Sequence, residues 1–151
     1  AALQYASPAL LADRSFMLAA VAWHGEALHH APPELRGDRH LVMAAVSSSP
    51  VSMRYASQEL ASDRDFVIAV VSRNPKALAY VSERLKEDRA VVMAAVIGDG
   101  STLALAPEAI RADREVVFTA VARSPGALRY AAPQLANDKD IVMVAVARDP
   151  E

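Results

Sequence analysis

Apolar stretches alternate with short polar connections along the whole chain, and the alternation repeats every 25 residues. The segments from Phe66 to Val71 and from Val91 to Val96 are apolar without interruption. A helix that is apolar on every face is enclosed by its neighbours in a water-soluble protein. Since one unit of 25 residues cannot supply that enclosure, the pattern predicts units that stack side by side.

The register of the repeat holds from one end of the chain to the other. It divides the chain into units 1–25, 26–50, 51–75, 76–100, 101–125 and 126–150. An aliphatic column contains Leu10, Leu35, Leu60, Leu85, Ile110 and Leu135, and a valine column contains Val21, Val46, Val71, Val96, Val121 and Val146. We expect both columns in the core.

Local signals predict two helices and a turn in every unit. A polar residue before proline, which favours a helix start, occurs at Ser49-Pro50, Asn74-Pro75, Ser124-Pro125 and Asp149-Pro150. A second proline about seven residues later ends this short helix in most units, because proline breaks the hydrogen-bond ladder. A tight turn around Pro-Glu-Leu is expected next. An aspartate then caps a second helix of about ten residues.

These elements predict an all-α fold, an α-solenoid with a right-handed superhelix of short helix pairs, as one domain over residues 1–151. The β-branched residues alone would also suit strands. The aspartate caps, the alanine pairs and the period of 25 residues favour helices. We therefore predict six tandem helical repeats.

An aspartate followed by a basic residue is the most regular motif of the chain. The pairs are Asp13-Arg14, Asp38-Arg39, Asp63-Arg64, Asp88-Arg89, Asp113-Arg114 and Asp138-Lys139. A cation at the start of a helix opposes the helix dipole, so its recurrence indicates a specific partner. We expect a structural ladder that joins each base to an aspartate or carbonyl group of the next unit. The alternative is an arginine stripe that reads phosphates or bases.

The averaged unit, ALxYASPELxxDRxFVxAAVxxNP, resembles the repeat called domain of unknown function 4116. The segments 77–85 and 88–96 carry the pattern most clearly, and the resemblance extends over the whole chain. A weaker similarity links the unit to leucine-rich variant repeats, which alternate an α-helix with a shorter, tighter helix. The resemblance implies a helical repeat fold and no activity. The fifth unit departs most, with Leu105 in the tyrosine column, and a bend is expected there.

Composition narrows the classes of function and location. A formal charge of −2 offers no long-range attraction to nucleic acid or to anionic membranes. The absence of cysteine excludes thiolate metal sites and disulfides and fits a reducing compartment. No apolar run reaches the length of a membrane span. No leader pattern is visible at Ala1, so we expect targeting signals to be absent or removed. We expect an intracellular location, in the cytoplasm or in an organelle such as a plastid.

Catalytic and metal-binding residues are not expected in this chain, and no cofactor is expected either. The four histidines, His24, His29, His30 and His40, lie close together in the sequence, yet no i, i+4 pair or acidic partner completes a metal site. Ser7, Ser57 and Ser82 occupy a repeat position and are better explained as helix caps.

Varying columns are the best candidates for an interaction surface, because constant positions build the stack of a solenoid and varying positions face outward. The candidates are Trp23, His29, Arg54, Arg73, Arg123 and Arg129. Trp23, the sole tryptophan, stands where no other unit has a large ring. It is either an interface anchor or a cover for one end of the stack.

The two end units resemble internal ones, so Phe16, Leu18, Ile141 and Met143 are expected to leave apolar edges. Such edges suit a piece of a longer array or a subunit of a complex. We therefore expect a protein-binding or scaffold module, with a nucleic-acid-binding array that uses the arginine and tyrosine columns as the alternative. The alternative predicts salt-sensitive binding.

Overall fold

The computed structural model describes residues 2–148, which form helices and connections and contain no strand. Each unit has a tight 3-10 helix, a connecting helix and a long α-helix. The long helices are Arg14–Trp23, Arg39–Ser48, Arg64–Arg73, Arg89–Gly98, Arg114–Arg123 and Lys139–Arg148. The tight helices are Ala2–Tyr5, Gly25–His30, Pro50–Tyr55, Pro75–Tyr80, Gly100–Leu105 and Pro125–Tyr130. The all-α solenoid of tandem repeats is thus confirmed, while its handedness stays a prediction.

Long helices pack against the long helices of adjoining units, and tight helices pack against tight helices, so the stack has two helical layers. The core lies between the layers. Leu78 and Leu103 of the tight helices and Val71 and Val96 of the long helices are fully buried. Extensive contacts join elements of the same unit or of adjoining units. Each unit therefore depends on its neighbours for the burial of its own apolar side chains.

The segment around Pro-Glu-Leu was expected to be a turn, and the structure shows a short connecting helix instead. The connecting helices are Pro8–Leu11, Pro33–Arg36, Gln58–Ser62, Glu83–Lys86 and Glu108–Arg111, with the 3-10 helix Pro133–Leu135 in the sixth unit. The hydroxyls of Ser7 and Ser57 accept the backbone N–H groups of Leu10 and Leu60, each at 3.3 Å. Ser82 makes no such bond. A capped start and one i→i−4 bond are enough to form a single helical turn.

The side-chain caps expected before the prolines are also wrong for Ser49, Asn74 and Ser124, none of which accepts a bond through its side chain. The 3-10 helix is closed instead by backbone carbonyl groups; the N–H of Ser52, for example, donates to the carbonyl of Ser49 at 3.0 Å. The Asn74 amide reaches back to the Val46 carbonyl of the preceding unit at 2.8 Å. The motif Asp149-Pro150 lies outside the described residues.

Glycine replaces proline at the start of two tight helices because the backbone of the long helix comes unusually close. A Cβ atom at Gly25 would overlap the carbonyl oxygen of Ala45, and one at Gly100 would overlap that of Ala120. Neither glycine has a positive φ angle. Space, and not backbone conformation, thus favours glycine at these two positions.

Ser52→Ala is expected to stabilise the chain by about 1 kcal/mol, because the Ser52 hydroxyl is fully buried without a hydrogen-bond partner. The equivalent residues Ala27, Ala77 and Ala127 already lack this group. Thr102 provides the matched control, since its hydroxyl donates to the Asp99 carbonyl at 2.7 Å. Thr102→Val should destabilise the chain. Chemical denaturation measures the change in the free energy of unfolding of each variant. If both changes have the same sign, the hydrogen-bond status of the two hydroxyls does not explain them.

Candidate functional site

The aspartate of each unit has two tasks in the structure. Asp88 caps its own long helix by accepting the Ala90 N–H at 2.8 Å. It also accepts two bonds from Arg64 of the preceding unit, to Nε at 2.6 Å and to Nη2 at 3.2 Å. Equivalent ion pairs join Arg14 to Asp38, Arg39 to Asp63, Arg89 to Asp113 and Arg114 to Asp138. The five pairs form a ladder along one edge of the stack.

The ion pairs of the ladder shift the pKa values of the aspartates and arginines in the direction that favours the charged form of each group. The hydrogen bond from Arg64 lowers the pKa of Asp88 from its ordinary value, with the helix N–H groups adding to the effect. The same pairing raises the pKa of Arg64. The Asp38, Asp63 and Asp113 carboxyls also have lowered pKa values. All these carboxylates are charged at neutral pH.

The arginines of the ladder are therefore already paired. Arg89 and Arg114 each bind a further carboxylate, from Glu115 and Asp140 respectively. Arg39 makes a single bond to its aspartate and lies over the Phe66 ring, 5.1 Å from the ring centroid. A phosphate group would have to displace these partners before it could bind the guanidinium groups.

Replacing Arg64 by Gln or Asp88 by Asn should lower the melting temperature slightly and by similar amounts, since either change removes the same exposed ion pair. Asn retains an oxygen for the helix cap, whereas Asp88→Ala also loses the cap and should cost about 1 kcal/mol more. The double variant Arg64→Gln/Asp88→Asn should be no less stable than the worse single variant. Simple additivity in thermal unfolding would show that the two residues are not coupled.

Acid should weaken the stack. A carboxyl whose pKa is lower in the folded than in the unfolded chain contributes stability above its unfolded pKa, and that stability is lost as the pH falls through the folded value. The described ladder aspartates follow this rule, so the melting temperature should drop below about pH 4. Arg64→Gln should make this drop shallower. If the melting temperature of Arg64→Gln falls with pH just as that of the wild-type chain does, the ladder does not contribute to the acid dependence of stability.

The ladder is incomplete at its two ends. Asp13 caps its helix through the Phe16 N–H at 2.9 Å, but within residues 2–148 no arginine pairs with it. Lys139 stands in the arginine column of the sixth unit, and among the described residues no acidic group lies within ion-pair distance. One end of the stack thus presents a carboxylate and the other an ammonium group.

The candidate interface residues lie in two separate rows. Trp23, Arg73 and Arg123 end the long helices of their units, and Trp23 is 92% exposed. Arg73 donates to the Ser47 hydroxyl of the preceding unit at 2.8 Å. The other three candidates, His29, Arg54 and Arg129, lie on the tight helices and are exposed. The structure therefore does not join the six candidates into one site, and their role in an interface stays a prediction.

Two contacts orient members of the second row. The His29 ring lies 5.1 Å from that of Tyr55. The Arg129 guanidinium lies 4.7 Å from the centroid of the Tyr130 ring. His24, His29 and His30 line a groove of about 440 Å³ together with Tyr55, while His40 is not part of it. Among the residues that the structure describes, no group of three or more possible ligands could hold a metal ion.

A groove that the sequence did not reveal lies between the fourth and fifth units on the layer of tight helices. Its volume is about 350 Å³. Tyr80 and Leu105, each 38% exposed, line it beside Ala79 and Ala104. Lys76, Asp99 and Pro50 lie in the same groove. One feature of the sequence indicates the groove. Ala79 and Ala104 stand in a column that holds larger side chains in the other units, and small side chains leave space above the layer of tight helices.

A model of a known protein family matches the chain. The family model described as "Domain of unknown function (DUF4116)" matches residues 1–36, 13–61, 38–78, 63–111 and 113–151. The first four segments overlap in succession, and all five together cover nearly the whole chain. No curated protein and no solved structure matches the chain. Among the described helices, none is both long and apolar enough to cross a membrane.

Proposed function

Since the chain belongs to the domain of unknown function 4116 (DUF4116) family, we propose from its surface that it is a non-catalytic protein-binding module, acting as a scaffold or accessory subunit in a larger assembly. The groove formed by Tyr80, Leu105, Ala79 and Ala104 is the observation that carries this proposal. It places two large, partly exposed apolar side chains beside small ones, which leaves space for an inserted side chain.

The chemistry of the groove favours a protein partner with an apolar or aromatic anchor. Tyr80 offers a large rigid surface with a hydroxyl group, a combination enriched at the centres of protein interfaces. Lys76 and Asp99 add one charge of each sign to the groove, which suits a peptide with polar groups beside its anchor. The partner inserts its anchor between the tight helices of the fourth and fifth units.

Nucleic-acid binding is disfavoured by the same structure. The arginine column that would read phosphates is engaged with carboxylates at 2.6 to 2.8 Å. The chain as a whole carries a formal charge of −2. Binding to phosphates without displacement of those carboxylates would depend on exposed residues such as Arg54 and Arg129, which lie three units apart.

Affinity purification of native partners with matched variants tests the proposal. We expect a partner that the wild-type chain retains to be lost by Tyr80→Arg/Leu105→Arg. Ile97→Arg is the control, because Ile97 is 48% exposed and lies outside the groove. Equal retention by all three chains would overturn the assignment of the groove. Salt-sensitive retention on RNA or DNA by the wild-type chain would favour the nucleic-acid alternative.

A further inference from the structure

The outward side of the fourth long helix is apolar from one end to the other. The buried residues of this helix, which face the core, are Val91, Val92, Ala95 and Val96. The residues on the opposite side, which have the spacing i, i+3, i+4 and i+7, are Ala90, Met93, Ala94 and Ile97. Ile97 is 48% exposed, and the other three are half-buried. Water therefore reaches an unbroken strip of apolar side chains.

The fourth unit departs from the repeat at both ends of this strip. At the position of Ala90, the other units have the polar residues Ser15, His40, Asp65, Glu115 and Asp140. At the position of Ile97, the other units have the smaller residues Ala22, Ser47, Ser72, Ala122 and Ala147. Stacking of the units does not explain these two exchanges, since the other units stack without them.

The adjoining units extend the strip into a wider apolar surface. Ile68 and Phe118 stand at the repeat position of Met93, and Phe118 is 37% exposed. The Ser72 and Thr119 hydroxyls donate to carbonyl groups of their own helices at 2.7 and 2.8 Å, so these protons are already used. We call the outward side of the long helices Arg64–Arg73, Arg89–Gly98 and Arg114–Arg123 the outer face. Each of these helices has a neighbouring long helix on both sides.

The two edges of the outer face carry opposite charges. At the start of the long helices, the side chains of Asp65 and Glu115 are 90% and 73% exposed. They are the excess charge at this edge, because each ladder arginine there already has a ladder aspartate. At the other edge, Arg73 and Arg123 end their helices and are exposed. Asp99 near that edge belongs to the layer of tight helices, where it caps the fifth tight helix and lines the groove.

We propose that two copies of this chain form a symmetric dimer through the outer face, with the long helices of one copy antiparallel to those of the other. The two-fold axis crosses the long helices at the level of Met93. It places the large Ile97 side chain of each copy over the small Ala90 side chain of its partner. One apolar surface thus covers the other, as a self-complementary interface requires.

The charges of the outer face select this arrangement. A two-fold axis parallel to the long helices would bring the two acidic edges together and the two basic edges together. The antiparallel arrangement instead places Asp65 of each copy beside Arg73 of its partner. It places Glu115 beside Arg123 in the same way, so the rim of the contact is complementary in charge.

The dimer leaves the groove between the fourth and fifth units accessible in both copies, because the groove lies on the layer of tight helices. If the groove binds a protein as proposed above, the dimer presents two such sites on opposite sides. The contact spans three helices of ten residues each, which is at the lower end of the size range of protein interfaces. Dimerisation is therefore reversible, with a dissociation constant on the order of 10 µM.

Sedimentation velocity of the 151-residue chain, at concentrations about tenfold below and above that value, tests the proposal. The wild-type chain should change from monomer to dimer over this range. Ile97→Asp should raise the dissociation constant by about a hundredfold, because the symmetry places the new charge in the contact twice. Tyr80→Arg/Leu105→Arg is the control and should dimerise like the wild-type chain. The dimer and the groove can therefore fail independently.

Exchange of charges tests the antiparallel arrangement itself. Arg73→Glu/Arg123→Glu makes both edges of the outer face acidic, and Asp65→Arg/Glu115→Arg makes both edges basic. Each variant alone should be monomeric, because like charges meet at both edges. An equimolar mixture of the two should form a dimer, since every acidic edge then meets a basic one. Added salt should weaken this mixed dimer.

Three results would overturn the proposal. They are a wild-type chain that stays monomeric throughout, an Ile97→Asp chain that dimerises as strongly as the wild-type chain, and a mixture of the charge variants that stays monomeric. Circular dichroism verifies that the variants fold, as expected for substitutions of exposed side chains. Phe118→Glu replaces Ile97→Asp if that variant does not fold, and it should weaken the dimer in the same direction.

Discussion

Val96→Asp should unfold the chain, whereas Val146→Asp should leave it folded. Both valines occupy the same position of the repeat, so the two substitutions are identical in the sequence of the unit. Val96 is fully buried and Val146 is 55% exposed. A carboxylate without a partner in the core costs about 3 to 5 kcal/mol, a large part of the stability of a domain of this size.

Circular dichroism at increasing temperature measures this contrast directly. Val96→Asp should lose its cooperative transition or show a strongly lowered melting temperature. Val146→Asp should retain the helix content and the transition of the wild-type chain. Comparable destabilisation by both variants would mean that the Val146 side chain is covered, which would contradict its 55% exposure.

Deletion of residues 75–99 should leave a folded chain of five units. The deletion joins Asn74 to Gly100, so the register of the repeat continues across the new junction and the fifth tight helix keeps the glycine that its close contact with Ala120 requires. Arg64 then meets Asp113 in place of Asp88, and the long helix Arg64–Arg73 packs on Arg114–Arg123. Because extensive contacts join only adjoining units, no distant partner is lost.

Deletion of residues 76–87 is the matched control. It removes about half a unit and leaves Asp88 directly after Pro75, so the fourth long helix loses its tight and connecting helices. Leu78 and Leu85, both buried, disappear from the core. We expect this shorter deletion to be far more damaging than the deletion of a whole unit. Thermal unfolding followed by circular dichroism compares the two, and the opposite order would contradict an array stabilised by neighbouring units.

Repetition made most of the fold predictable. A motif that recurs in every unit reports the same environment several times, so Asp88 could be interpreted as a helix cap without knowledge of the structure. The pairing of Arg64 with the next unit could also be inferred, because a cation at a helix start requires a partner. The connecting helices were missed because a segment of four residues has too little periodicity to distinguish a turn from one turn of helix.

The candidate surface was less predictable than the fold. Exposure of Trp23 follows from its position in a varying column, and so does that of Arg54. The groove at Tyr80 and Leu105 depends on the distance between two adjoining tight helices and on the small side chains between them. A column of residues specifies which side chains are present, but it does not specify the space that their packing leaves.

Local chemistry in the chain was sufficient to establish helices, caps and the order of the units, because each of these depends on residues within one period of 25 positions. The three-dimensional stack was needed to distinguish Val96, which is fully buried, from Val146, which is 55% exposed. It was also needed to distinguish Ile141, which was expected at an apolar edge and is fully buried, from Met143, which was expected there and is 59% exposed. Burial depends on which neighbouring helix covers a side chain, and residues at the same position of the repeat differ in this respect.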